Sequence, residues 1–248
     1  MANKNDPKKT AIITGGSRGI GKTIAIELLK CGFKVFICGR TIKDLENTSS
    51  EISHFGKVEY FQLDIADRDQ VNKFLSEWKT GLNVLINNAG ICGIEMLEED
   101  IGLWENIINT NLHGVYYLTK GLQKWIPYGG SIINISSQLG TEGRLGFGAY
   151  CATKHGLLGL TKCWAKELGG KEITVNAICP GWVRTEMTMT DIKKMAQMRD
   201  ISEEEMYKEI TKDLDLKRFV EPEEIAYLTS FLVSKQGRGI TGQSFFIK

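Results

Sequence analysis

The chain has 248 residues, 42% hydrophobic and 25% charged, with a formal net charge of +1. This is the size and make-up of a single α/β domain over residues 1–248. A charge so near zero gives no pull toward nucleic acid or an anionic membrane, and no apolar run approaches the roughly 18 residues of a membrane span.

The opening MANKNDPKK lacks an apolar core, so no secretory signal is expected. Cys31, Cys38, Cys92, Cys151, Cys163 and Cys179 include no C-x-x-C pair. Reduced thiols and a cytoplasmic location are the plain expectation, with no metal site.

Short β-branched runs alternate with longer amphipathic stretches from Lys9 to about Pro180. TAIIT, KVFIC, VEYFQL, NVLIN, SIINIS and TVNAI read as buried strands. Alternation at this spacing predicts a parallel sheet with helices on both faces.

The first strand runs into Thr14-Gly15-Gly16-Ser17-Arg18-Gly19-Ile20-Gly21. Glycines spaced G-x-x-x-G-x-G between a strand and a long helix let backbone approach a pyrophosphate at the helix N-terminus. The second strand ends at Cys38-Gly39-Arg40. The acid that would hold a ribose 2′-hydroxyl is missing there. Arg40, with Arg18 in the glycine loop, suits a 2′-phosphate, which points to NADP(H). Asp64-Ile65 follows the third strand, where Asp64 could accept from an adenine amino group; Asp64 or Asp67 could equally cap the next helix. The fourth strand ends in Asn87-Asn88-Ala89-Gly90, small enough to let a cofactor ribose pass.

Asn111 stands in a predicted helix, where asparagine is a poor fit; a kink there would hold a water beside the active lysine. His113 and His155 read as packing or surface histidines. Ser137 ends SIINIS. Tyr150 and Lys154 are four residues apart, hence on one helical face. An ammonium beside a phenol favours the phenolate. Proton transfer near neutrality requires a shift of roughly three units, about 4 kcal/mol.

Taken in order, Thr14-Gly-x-x-x-Gly-x-Gly21, Asn87-Asn-Ala-Gly90, Asn111, Ser137, Tyr150-x-x-x-Lys154 and Pro180-Gly181 resemble the short-chain dehydrogenase/reductase family. The resemblance runs from about Lys9 to Gln243. Within the family it points to 3-oxoacyl-(acyl carrier protein) reductases, including the polyketide kind. It implies a Rossmann-type, doubly wound parallel sheet and a tetrad of Asn111, Ser137, Tyr150 and Lys154. By that resemblance Tyr150 is the general acid, Ser137 orients the carbonyl, and Lys154 binds the nicotinamide ribose and lowers the tyrosine pKa. Pro180, Gly181, the Val183 backbone and the Thr185 hydroxyl would grip the carboxamide.

The implied activity is NADPH-dependent reduction of a ketone to a secondary alcohol, on a small ketone or acyl thioester. The alternatives are a steroid, sugar or polyol dehydrogenase, or a nucleotide-sensing protein without turnover. Residues 186–218 match the family's substrate lid. Five of the seven methionines fall there, which suits either an adaptable pocket or ordinary packing. The last stretch, Ile240–Lys248, resembles the family's final strand without its usual Asp-Gly-Gly.

Apolar residues on several faces of the helices around Trp104–Leu122 and Ala152–Leu168, among them Leu157, Leu158, Leu160 and Trp164, predict an interface, and with the family resemblance a homotetramer. The two arginines that dock acyl carrier protein in fatty-acid reductases align with Tyr128 and Lys171, so weak docking is expected, with Lys162 and Lys166 as partial compensation.

Overall fold

The computed structural model describes residues 9–98 and 101–248. Among them, the β-branched runs form β1 (Thr10–Thr14), β2 (Lys34–Gly39), β3 (Val58–Gln62), β4 (Val84–Asn87), β5 (Ser131–Ile135), β6 (Thr174–Pro180) and β7 (Ser244–Ile247). All pair in parallel, in the order β3-β2-β1-β4-β5-β6-β7. The order reverses between β1 and β4. In an open α/β sheet, that reversal leaves a crevice at the strands' carboxyl ends.

The central strands are apolar at nearly every position because both faces are covered. Successive side chains alternate between two cores. Ala11, Ile13, Val35, Ile37, Val84, Ile86, Ile133 and Ile135 point to one face. There they meet α1 (Gly19–Lys30), α2 (Ile42–Ile52) and α9 (Pro222–Leu232). Ile12, Phe36, Leu85, Ile132 and Val175 point to the other. They meet α3 (Arg68–Glu77), α5 (Val115–Leu122) and α6 (Gly148–Leu168).

One polar row crosses the second core. Asn87 Nδ2 donates to Thr119 Oγ1 at 3.0 Å and to Asn134 Oδ1 at 2.8 Å, and Asn134 Nδ2 donates to Thr161 Oγ1 at 2.8 Å. The row ties α5, β4, β5 and α6 together. Every member is buried and satisfied, so it costs little and fixes which helix lies over which strand.

Several expectations are corrected. VEYFQL is not a fully buried strand: β3 is the sheet edge and half exposed. Glu59 on it pairs with Lys34 and Lys57, the kind of charge that blunts an edge. Asp67, not Asp64, caps α3, accepting from the amides of Asp69 and Gln70. Leu157, Leu158 and Trp164 are not left open on α6. They are buried within the chain, Leu157 and Trp164 on the sheet and Leu158 against Ala177 and Cys179. Exposed aromatics include Trp104 and Tyr116, Tyr128 before β5, and Tyr227, Phe231 and Phe246 on α9 and β7.

Tyr128 and Lys171 do not flank the cleft mouth. They precede β5 and β6, whereas Ser137 and Gly181 follow them. A five-residue parallel strand separates those ends by roughly 16 Å. The methionines divide: Met206 is buried beside Ile192, Ala196 and Phe219, where α7 (Glu186–Met198) packs on α8 (Glu203–Lys212), while Met187, Met189 and Met198 are exposed. No helix among the described residues is long and apolar enough to cross a membrane.

Candidate active site

A cleft of about 300 Å³ opens over the β1/β4 reversal. Its floor begins at the glycine loop. Gly15 and Gly19 have φ of +64° and +51°, which favour glycine. A Cβ on Gly21 would lie 2.2 Å from the Gly15 carbonyl oxygen, so only hydrogen fits there. Thr14 holds the loop to the next wall: its Oγ1 accepts from the amides of Asn88 and Ala89, each at 3.0 Å. Asn88 Nδ2 donates back to the carbonyls of Thr14 and Gly15 at 2.9 and 3.1 Å.

The cleft is lined in turn by Gly15, Ser17, Arg18, Gly19, Ile20 and Gly21, then by Arg40, Asp64 and Ile65, then by Asn88, Ala89 and Gly90. Pro180, Gly181, Val183 and Thr185 close it on the β6 side. Arg18 and Arg40 are exposed, and no ion pair among the described residues engages either. Asp44 shares their corner. Asp64 Oδ1 accepts from the Ala66 amide at 3.0 Å, which fixes its carboxylate at the cleft edge.

Between α4 (Gly102–Ile108) and α5 the helix widens into a π-turn over Asn109–Gly114. Such turns insert one extra residue and collect at functional sites. Asn111 sits inside it, 0% exposed. Its Oδ1 accepts from the Ile91 amide and its Nδ2 donates to the Ile91 carbonyl, both at 2.8 Å. The side chain is thus a clamp on the loop after β4, with a longer bond from Nδ2 to Thr153 Oγ1 at 3.4 Å. Gly114 makes the turn possible, since a Cβ there would meet the Ile65 carbonyl oxygen at 2.4 Å. His113 and His155 bond locally, to Asn109 Oδ1 and to the Cys151 carbonyl, away from the chemistry.

Tyr150 and Lys154 project from the first turns of α6 into the cleft, opposite Ser137 at the end of β5. The Ser137 hydroxyl accepts from the Leu139 amide at 3.1 Å and lies near enough to the Tyr150 phenol to favour its ionised form. Lys154 is 4% exposed; its Nζ donates to the Ile135 carbonyl at 2.8 Å and lies 5.4 Å from the Tyr150 ring centre. Burial lowers Lys154 to about 8. The phenol does not move as expected. Burial pushes Tyr150 well above its ordinary value, the neighbouring Cys92 thiol acts in the same direction, and the Ser137 hydroxyl opposes them. The ammonium lies over the ring and is turned toward a backbone carbonyl, so desolvation outweighs it.

Cys92 and Ser136 were not legible as site residues. Cys92 lines the cleft, with its thiol raised to about 11 by burial. Ser136 Oγ donates to the Lys154 carbonyl at 3.0 Å and so supports α6. A cysteine two residues past an N-A-G turn carries no pattern that marks it.

The family profile of short chain dehydrogenases matches residues 9–196. The 3-oxoacyl-(acyl-carrier-protein) reductase FabG of Thermotoga maritima is 36% identical, with 95% of this chain and 94% of that protein aligned. A variant of actinorhodin polyketide ketoreductase, solved with NADPH, superposes at a TM-score of 0.92 with 32% identity, covering 100% of this chain and 97% of the other. L-Sorbose reductase from Gluconobacter frateurii, solved with NADPH and L-sorbose, gives 0.91 with 25% identity over 97% and 95%. With the glycine loop, the β1/β4 crevice and the Ser137, Tyr150 and Lys154 cluster in one cleft, the chain belongs to the short chain dehydrogenase family of oxidoreductases.

Proposed function

We propose that the protein is an NADPH-dependent ketoreductase that acts on 3-oxoacyl thioesters or related ketones. The observation that carries this reading is the meeting of Ser137, Tyr150 and Lys154 at one end of the cleft that runs from the glycine loop to β6, with the Lys154 ammonium 5.4 Å from the Tyr150 ring centre. The fit to the cofactor rests on the glycine cradle that a Cβ at Gly21 would fill and on the unpaired guanidiniums of Arg18 and Arg40.

When bound, NADPH supplies the hydride. The N-terminus of α1 and the glycine loop hold its pyrophosphate, and Arg18 and Arg40 take the 2′-phosphate. Lys154, as an ammonium, donates to the ribose hydroxyls. Tyr150 gives its phenolic proton to the carbonyl oxygen as that oxygen becomes an alkoxide. The raised pKa makes the phenol a weaker acid than the spacing led one to expect, but it starts protonated at neutral pH and the alkoxide it meets is the stronger base, so the proton still moves downhill. Ser137 donates to the same oxygen and orients it. Asn111 holds the Ile91 backbone in place, and α7 and α8 cover the substrate as a lid.

An apolar substrate is favoured by Met187, which lines the cleft, and by Ile94, Met96 and Leu145, exposed on the loops that follow β4 and precede α6. The likeness to a sugar reductase favours a second reading, reduction of a sugar ketone. Ketone-dependent oxidation of NADPH across a panel of acetoacetyl thioesters, steroids and sugars decides between them. Turnover confined to the sugars would replace the acyl reading.

A further inference from the structure

α6 carries Tyr150 as its third residue, yet its start lacks a local cap. Phe147 stands at the cap position, offers no acceptor, and no acid lies in the first turn. The first amides of a helix need acceptors from elsewhere. One comes from 54 residues away: the Ala149 amide donates to Glu95 Oε1 at 2.7 Å. The Glu95 amide in turn donates to the Gly146 carbonyl at 2.8 Å, and Glu95 pairs with Phe147 as a parallel bridge. Glu95 Oε2 is buried with no hydrogen-bond partner among the described residues. The carboxylate is therefore held in place by the helix it caps.

Glu95 lies on the loop that leaves β4, and that loop is tied at two points. At Ile91 it is gripped by Asn111. At Glu95 it is bonded to the amide immediately before Tyr150. Cys92, between them, lines the cleft.

We propose that Glu95 is the positioning residue for Tyr150: by capping α6 in trans, it sets the phenol against Ser137 and couples the substrate loop to the proton donor. The proposal rests on the reading of Tyr150 as general acid. Small displacements of a donor are costly to rate while leaving remote binding intact.

The experiment measures NADPH affinity, kcat and KM on the best ketone of the panel for the wild type, Glu95→Gln, Glu95→Met and Tyr150→Phe, and for Glu95→Met combined with Tyr150→Phe. Melting temperature is the check on folding. Glutamine keeps an acceptor; methionine keeps the volume and removes it. Glu95→Met should lose about tenfold to a hundredfold in kcat with NADPH affinity kept, and Glu95→Gln should recover most of it. In the Tyr150→Phe background, Glu95→Met should add no further loss, because the donor it positions is gone. A wild-type kcat in Glu95→Met overturns the proposal, as does an equal loss with and without Tyr150. If Glu95→Met melts early or loses NADPH, Glu95→Gln carries the test, and the same collapse there assigns Glu95 a structural role only. A Tyr150→Phe enzyme as fast as the wild type removes the reading of Tyr150 itself, a result distinct from these.

Discussion

In the proposed mechanism Lys154 and the two arginines hold the cofactor. Burial brings Lys154 to about 8, below its ordinary 10.5. The ammonium, the proposed donor to ribose, therefore predominates below that pH and is lost as pH rises through it. NADPH affinity should fall over that rise. In Lys154→Arg the guanidinium does not titrate, so the affinity curve should be flat across the same range. Titration calorimetry at stepped pH reads both. Arg40→Ala should weaken NADPH by about tenfold to a hundredfold and leave NADH nearly unchanged, the scale of one charge-assisted bond. Equal affinity of the unmodified protein for the two cofactors would contradict this. At this scale the residue types were readable because the spacing of Tyr150 and Lys154 places them on one helical face. The direction of the Tyr150 shift was not, since it depends on how deeply the ring is enclosed and where the lysine points, and neither leaves a trace in spacing.

Elements were more legible than their surroundings. Short continuous β-branched runs located the strands, because central parallel strands are buried on both faces. Which run lies at an edge depends on long-range order, so VEYFQL read like the others although β3 has a neighbour on one side only. The polar row across β4 and β5 was equally hidden: Asn87 and Asn134 are 47 residues apart and meet only in the folded sheet. Asn134→Ala leaves Asn87 and Thr161 each short of a buried partner. It should lower stability by about 1–3 kcal/mol, the cost of the one Asn87 N–H left without an acceptor, since Thr161 Oγ1 still donates to the Leu157 carbonyl. Thermal unfolding measures this, and a shift within error of zero would mean the row is replaceable by packing alone.

At the scale of the whole molecule, the apolar surface that the chain leaves uncovered bears on its assembly. Leu157 and Trp164 are consumed by the chain's own core. Among the exposed aromatics, Trp104 and Tyr116 stand on the α4–α5 segment, and Tyr227, Phe231 and Phe246 on α9 and β7. Two distinct self-complementary patches build a dihedral tetramer, whereas one builds a dimer. We expect a tetrameric mass by light scattering, and dimers when Tyr227 and Phe231 are both replaced by serine. A monomer at micromolar concentration would contradict this. Helical periodicity marked α6 as apolar on several faces, yet it could not say that one chain supplies cover for all of them.

The central claim is that Tyr150 protonates a ketone while NADPH is oxidised. Its most direct test is single-turnover reduction of an acetoacetyl thioester by the wild type and by Tyr150→Phe, each saturated with NADPH. Phenylalanine keeps the ring and removes the transferable proton. The account predicts ketone-dependent oxidation of NADPH in the wild type and a loss of at least about a hundredfold in the variant, with NADPH affinity unchanged. Equal rates in the two proteins would contradict it.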